Sequence, residues 1–544
     1  MLKVKPELFQ NTIRLFKFIN TSFYNNKMKA CIFYLPFIVL LSGCGPAVNK
    51  SAAPPEAYNE PHRPKIHFSP QTAWMNDPNG MVYHKGTYHL FYQFYPDSTV
   101  WGPMHWGHAT STDLVHWQHQ PVALYPDSLG YIFSGSAVVD AANTSGFGTA
   151  DNPPLVAIFT HHDPKGEKAG RSDFETQSLA YSLDDGKTWT KYKGNPVVKN
   201  PGIRDFRDPK IMWHEESKKW IMTLATLDRI TFYSSPNLKD WTRESEFGKE
   251  LGAHGGVWEC PDLFPLDYNG ETVWVLIVNM NSGGPNGGSA TQYFTGTFDG
   301  HTFTPFQTDT RWLDYGPDEY AGITWSNTGK RKIFLGWMSN WQYANKVPTE
   351  KWRSALTVPR DLSLQKIGEK YLVVSRPVPE LDTLAGSPVT FEDIEAFRPN
   401  DAKDLIALNG PFRVRLTADT IRDFSITVSN QLDEQVVIGY AGQQNAYYID
   451  RTQSGTINFE KGFAARHTAP RLSEAPNLDL TLIIDNASVE LFADGGLTVM
   501  TSIFFPNKPY NGLRLQAPGR FTVASFKYSY LKAVFGSQHF ATKK

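Results

Sequence analysis

Three acids in this chain stand in short motifs that could do chemistry together. Asp77 lies in WMNDPNG (74–80), wedged between Asn76 and Pro78. Asp208 lies in RDP (207–209) and Glu259 in WECPD (258–262). An Asn-Gly pair by itself signals a tight turn between strands, but a turn does not account for Trp74 and Asn76 beside the acid. Cleaving a glycosidic bond calls for two carboxylates, one protonated to release the leaving oxygen and one charged to attack or to activate water. Asp77 and Glu259 are 182 residues apart, so only a fold that returns the chain repeatedly to one place can pair them.

Composition narrows the partner. Lys+Arg 53 against Asp+Glu 54 gives a formal charge of -1, which excludes a nucleic-acid binder that coats phosphates with clustered positive charge. Aromatic residues make up 14% of the chain, with 15 Trp, and their faces suit the C–H patches of sugars. A neutral sugar polymer fits this balance. Cysteine occurs only as Cys31, Cys44 and Cys260, too few for a disulfide framework or a cysteine zinc site. His161-His162-Asp163 lacks a third ligand at suitable spacing and is read as a loop. No metal and no cofactor is expected.

A recurring unit supplies the positioning. Each copy has a polar head, an apolar strand, a turn and a second apolar strand. The heads are Asp77, Ser136, Asp208, Glu259 and Asp318, at steps of 59, 72, 51 and 59 residues. A second element follows most copies, a turn ending in an aromatic, as in STDLVHW (111–117), SLDDGKTW (182–189) and SSPNLKDW (234–241). Period-2 alternation with little helical periodicity argues all-β. Repeats of this length, each about four strands, argue a five-bladed β-propeller whose heads converge on one end of the axis. After about Pro359 the pattern changes. From Val389 evenly spaced alternating strands suit a β-sandwich. The expected division is a propeller over 62–365, a linker over 366–388 and a sandwich over 389–535.

The N-terminal region reads as a targeting segment. From Met28 the chain runs MKACIFYLPFIVLLSGC, a lysine, an apolar stretch of signal-peptide length and small residues before a cysteine. Leu41-Ser42-Gly43-Cys44 resembles the lipobox of bacterial lipoproteins, which implies lipidation of Cys44 and attachment to the bacterial cell envelope. Residues 1–44 are then extension and signal peptide, with translation starting at Met28, and 45–61 a flexible tether.

WMNDPNG, FSGS (133–136), RDP and WECPD, in this order, resemble glycoside hydrolase family 32, the β-fructofuranosidases. The likeness extends over roughly 62–535 through WGHATS (106–111), WRSALTVPR (352–360) and IIDNASVELFADGG (483–496). It implies that Asp77 is the nucleophile, Glu259 the acid/base and Asp208 the transition-state stabiliser of a retaining hydrolase. Asn76, Gln93, Phe133, Ser136, Arg207 and Asp318 become candidate substrate-binding residues. Trp101, Trp106 and Trp341 are candidates for the cavity wall, and Trp117, Trp189 and Trp241 for core. Asp318 stands in DEYA, a departure from the Asp-Phe-Tyr-Ala form of the family. The expected substrate is a fructan, levan or inulin, or sucrose, cut by exo-action with release of fructose. Alternatives are endo-action, transfer of fructose to another sugar, and a non-catalytic fructan-binding protein, which loss of an acid would mark. WMNDPNG and FSGS oppose an inverting arabinosidase or xylosidase. Loops near 95–105, 161–176 and 281–290 are expected to decide between exo- and endo-action.

Overall fold

The computed structural model describes residues 58–398 and 404–535. Met28, Cys44 and most of the 45–61 segment lie outside them. Five antiparallel sheets follow one another along the chain, and their innermost strands are Ala73–His84, Tyr131–Val139, Phe206–His214, Trp258–Tyr268 and Tyr320–Thr324. These are blades I to V of a propeller. Both faces of a blade are covered by its neighbours, so middle strands carry continuous apolar runs such as Val275–Val278 rather than clean alternation. Apolar clusters fill each gap: Val138, Ile158 and Leu179 of blade II meet Ile211, Met222 and Leu224 of blade III, for example. Ring closure is non-covalent. Trp352–Arg353, which follows the second strand of blade V, pairs in parallel with the innermost strand of blade I, Ala73 against Trp352 and Trp74 against Arg353.

All five innermost strands lose register with their neighbours near the head. The shifts fall between Met75 and Pro78, Ile132 and Gly135, Arg207 and Lys210, Glu259 and Asp262, and Tyr320 and Ile323. Such bulges re-aim side chains. Three of the residues concerned, Asp208, Cys260 and Ala321, have left-handed φ of 62°, 43° and 54°, uncommon for residues other than glycine. The aromatic turns also repeat structurally. Trp117, Trp189 and Trp241 each donate the indole N–H to the carbonyl three residues earlier, at 3.1, 3.1 and 2.8 Å, and are half-buried at core edges rather than within the core.

The expected linker needs correction in its first half. Lys370–Pro377 pairs with Arg360–Ile367 through a two-residue turn at Gly368-Glu369 and is the outermost strand of blade V. Only beyond Pro377 does the chain leave the propeller, through a 3-10 turn, Pro379–Leu384, that buries Leu381 and Leu384. Two six-stranded sheets then form the sandwich, with Val414, Leu416, Ile426, Ile438, Leu482 and Leu491 in its core.

The two domains are tied by buried charge. Arg360 of blade V is fully buried and donates to Asp314 (2.9 Å), to Glu490 of the sandwich (Nε, 3.1 Å) and to Thr501 (2.7 Å). Glu490 also meets His67 Nε2 at 2.9 Å, while His67 Nδ1 meets Asp485 at 2.9 Å. Burial alone would lower the pKa of His67, but bonding to Asp485 and Glu490 outweighs it and raises the value to about 9. Burial likewise works against ionised Asp485 and Glu490, yet their partners hold both below the usual carboxylate range. His67 therefore contributes stability that is full below about pH 6.5 and is lost as pH rises through about 9. The two carboxylates contribute stability that is lost as pH falls through their lowered values. His67→Gln is expected to cost about 3 kcal/mol at pH 6 by denaturant titration, with a deficit that shrinks towards pH 9.5. An equal deficit at both pH values would show that His67 acts through shape alone.

Candidate active site

The WMN stretch is a relay of hydrogen bonds that sets the nucleophile candidate. Trp74 Nε1 donates to Asn76 Oδ1 at 2.7 Å, and Asn76 Nδ2 donates to Asp77 Oδ1 at 2.9 Å. The other oxygen of Asp77 accepts from Ser134 Oγ at 2.7 Å. Each carboxylate oxygen thus has a donor, an arrangement that fixes its orientation. Asp208 is buried. Its Oδ2 accepts from the backbone N–H of Cys260 at 3.1 Å, and the Cys260 thiol lies 3.6 Å from Asp77 Oδ2 and 3.7 Å from Asp208 Oδ2. The left-handed turn at Cys260 is what lets that one residue present both N–H and S–H to neighbouring acids.

Glu259 is held from two sides, by Arg207 Nε on Oε1 at 3.1 Å and by the Tyr320 hydroxyl on Oε2. Arg207 also donates to Glu175 at 2.6 Å and to Asp205 at 2.8 Å, so one guanidinium serves three acids. Burial is the largest influence on Glu259 and raises its pKa, opposed by Arg207 and Tyr320. Burial also pushes Asp208 well above its usual range, reinforced by the charge of Glu259. Each therefore retains its proton to higher pH than an exposed carboxyl.

These acids line a cavity of about 220 Å3 with Asn76, Gln93, Trp101, Phe133, Ser134, His162, Glu167, Asp205, Arg207 and Trp341. The Gln93 side-chain nitrogen is buried here without a hydrogen-bond partner, a donor available to a ligand. Trp341 stacks on Trp74 at 6.0 Å and 25°. Trp101 is 39% exposed at the mouth. The cavity therefore offers a polar floor of carboxylates and an aromatic wall, which is the chemistry of a sugar-cleaving site.

The model of the glycosyl hydrolases family 32 N-terminal domain matches residues 67–377, and that of the family's C-terminal domain matches 380–530. The chain belongs to glycosyl hydrolase family 32. It is a glycoside hydrolase, and the two matches meet where blade V gives way to the sandwich. It is 45% identical over 510 residues to the levanase of Bacillus subtilis, covering 91% of this chain and 74% of that protein. It is 41% identical over 500 residues to the extracellular exo-inulinase of Aspergillus niger, covering 85% and 93%. The crystal structure of the exo-inulinase of Aspergillus awamori superposes with a TM-score of 0.81 at 37% identity, covering 88% of this chain and 100% of that one.

Of the family 32 residues expected at the site, Asn76, Asp77, Gln93, Trp101, Phe133, Arg207, Asp208, Glu259 and Trp341 come together in the cavity. Three do not. Ser136 is fully buried, donating to the Pro209 carbonyl at 2.9 Å and accepting from Ile211 N–H at 3.0 Å; it pins blade II to blade III, and Ser134 takes the place at Asp77. Trp106 is buried behind the wall, its N–H on the Phe133 carbonyl at 3.0 Å. Asp318 is buried against the sandwich, paired with Arg451 at 2.6 Å and accepting Ile503 N–H at 2.9 Å; Tyr320, two residues on, is the member of DEYA that reaches the acids.

His161 and His162 also differ from expectation, for they end the strand Leu155–His162, and Asp163 caps the short helix Pro164–Lys168. His162 stacks on Phe133 at 4.3 Å and bonds Glu175 (3.2 Å) and Glu167 (3.1 Å). Glu175 had no motif around it, and only its burial among charges reveals it. Ser134→Ala is expected to lower kcat/KM about tenfold or more with little change in melting temperature. Ser136→Ala should instead cost about 1–2 kcal/mol of stability and leave kcat/KM of the folded enzyme near wild type. The reverse pattern would restore Ser136 to the site.

Proposed function

We propose that this family 32 enzyme is a retaining, exo-acting β-fructofuranosidase that removes terminal fructose from levan or inulin chains and accepts sucrose as a small substrate. The observation that carries the reading is the pairing of Asp77, with a donor on each oxygen, and Glu259, half-buried and proton-retaining, in one small cavity. Asp77 attacks C2 of the terminal fructosyl unit while Glu259 gives its proton to the departing oxygen, leaving a fructosyl ester on Asp77. Glu259 then takes a proton from water, which attacks C2 from the face the leaving group vacated and regenerates Asp77. Arg207 and Tyr320 stabilise Glu259 as it becomes charged. Asp208 accepts hydrogen bonds from fructose hydroxyls, strengthened as positive charge develops on the ring.

Size and walls support exo-action. A cavity of about 220 Å3 is below the roughly 300–1,000 Å3 of drug-sized ligand sites and suits one furanose ring. Trp101 N–H is tied to Asn345 at 2.9 Å, and Glu167 of the short helix closes another side. On a third side, Trp341 N–H is held by Ser289 at 3.2 Å, and Asn286 of the same loop is bound to Thr468 of the sandwich at 2.8 Å. Loops anchored this way leave a pocket rather than a through-going cleft. The names of the levanase and exo-inulinase relatives agree with this reading.

Removing each acid should fail differently. Asp77→Ala is expected to lose several orders of magnitude in kcat, with azide restoring turnover only to an inverted product. Glu259→Ala should keep activity on a fructoside with a good leaving group, and azide should then give a product of retained configuration. Asp208→Asn should lower kcat on natural and activated substrates alike. A time course on levan and inulin should show free fructose from the start. Early oligosaccharides would instead mark an endo-enzyme, and rescue of Asp77→Ala by a good leaving group would exchange the two roles.

The sequence also supports a cellular setting. We propose that Cys44 is lipidated and tethers the enzyme to the bacterial cell envelope, from the apolar stretch before Leu41-Ser42-Gly43-Cys44 and the Pro/Ala-rich run after it. Cys44→Ala should move the enzyme out of the membrane fraction; unchanged partitioning would remove the idea.

A further inference from the structure

The innermost strands connect the catalytic cavity with a second, larger one. Their N-terminal ends carry Asp77, Phe133, Asp208 and Glu259 into the first cavity. Residues farther along the same strands, Val139, Trp213 and Phe264, together with Thr324, line a cavity of about 530 Å3. The second cavity is therefore at the opposite mouth of the propeller axis. Lys210 lies between the two sets on its strand, bonding the Thr324 carbonyl and lying 3.4 Å from Asp262, so it links blades III, IV and V across the axis.

The walls of this lower mouth are unlike an ordinary blade end. Trp213 and Trp274, from blades III and IV, are half-buried there. Neither ring is loose. Trp213 Nε1 is fixed to Glu215 at 2.7 Å, and Trp274 packs on Phe298 at 5.3 Å and on His214 at 5.7 Å. Lys332 lines the same cavity, and the one hydrogen bond its ammonium makes among the described residues is to the Gly329 carbonyl at 3.3 Å. Asp262, the acid near it, is already engaged by Thr324 N–H, at 2.6 Å, and by Lys210. Glu216 and Asn327 stand exposed at the rim. A purely apolar ligand would leave the ammonium with the Gly329 carbonyl as its single partner, and an ionic one would meet charges of both signs. Rigid aromatic faces with scattered donors and acceptors suit a neutral, polyhydroxylated ligand.

We propose that the lower mouth is a non-catalytic binding site for a short run of a neutral oligosaccharide, which under the function proposed above is a stretch of fructan chain. With more than twice the volume of the catalytic cavity, it takes several sugar units where the catalytic cavity takes one. The identity of the sugar rests on the proposed function; the existence of the site does not. A polymer held here keeps chain ends near the enzyme at raised effective concentration, so the site matters for long substrates and is silent for sucrose.

The test is retardation in native gels cast with levan, inulin or dextran, with turnover measured separately on sucrose and on the polymers. Trp213→Ala removes one platform, and Thr272→Arg, at an exposed position lining the mouth, blocks entry without touching the core. Both are expected to weaken retardation by fructan about tenfold and to raise KM on the polymer, with kcat/KM on sucrose near wild type. Retardation equal to wild type in Thr272→Arg would overturn the proposal, as would a wild-type enzyme that none of the polymers retards. If Trp213→Ala fails to fold, Thr272→Arg decides alone. Release of no fructose from any substrate would overturn the proposed function instead, since retardation is read without turnover.

Discussion

Everything at the active site depends on five strands being broken out of register at corresponding places. A regular strand presents alternate side chains to opposite faces, and in a blade both faces are claimed by neighbouring blades. Nothing would then point along the axis. The shift after each head turns the strand so that Asp77, Ser134, Asp208, Glu259 and Tyr320 leave the sheet faces and meet. Left-handed φ at Asp208, Cys260 and Ala321 is the local cost, on the order of 1 kcal/mol or more each. The tightly packed clusters between blades hold those conformations in place.

Charge follows the same economy of position. The catalytic cavity gathers Asp77, Asp205, Asp208 and Glu259, with Glu175 behind them, around the single guanidinium of Arg207. Burial raises the carboxyls of Asp208 and Glu259 against the pull of this one cation, and a proton-retaining Glu259 is what acid catalysis requires. At the domain interface the ratio is different. Arg360, His67 and Arg451 face Asp314, Asp318, Asp485 and Glu490, and Asp485 and Glu490 are held ionised. Similar residues thus serve chemistry in one place and cohesion in another; at the interface the direct partners His67 and Arg360 outweigh burial at Asp485 and Glu490, whereas burial prevails at Asp318 and raises it.

This explains which residues were legible in the sequence. The acids Asp77, Asp208 and Glu259 head apolar strands, where a carboxylate has no structural use, and so they stand out. Ser134 and Ser136 are two apart, as are Asp318 and Tyr320; alternation places each pair on one face and cannot say which member reaches the axis. The bulge decides, and a bulge has no compositional mark of its own here. Lys370–Pro377 reads as linker in the sequence because Gly368-Glu369 is a weak turn signal and the flanking prolines suggest loop. Trp101 and Trp106 look alike in WGPMHWGHA, yet the first lies before the strand and the second within it. Glu175, which orients Arg207, sits in ETQSLAYS, a stretch with no motif at all.

The parallel pairing of Ala73 with Trp352 has a bearing on how the molecule comes into being. Blade I leaves the ribosome before the other blades, but the end of its inner edge nearest Asp77 finds its partner only after 279 further residues have been made, the far end having met Ser326 somewhat earlier. At about 5–20 residues per second that is a wait of roughly 15 to 60 seconds. Through that interval the strand bearing Asp77 has an open hydrogen-bonding edge, the kind that invites pairing with the wrong chain. Its contacts are also among the most distant in sequence, which slows their formation. The catalytic aspartate is thus synthesised early and secured late, and the yield of active enzyme should hinge on how well that nascent edge is shielded.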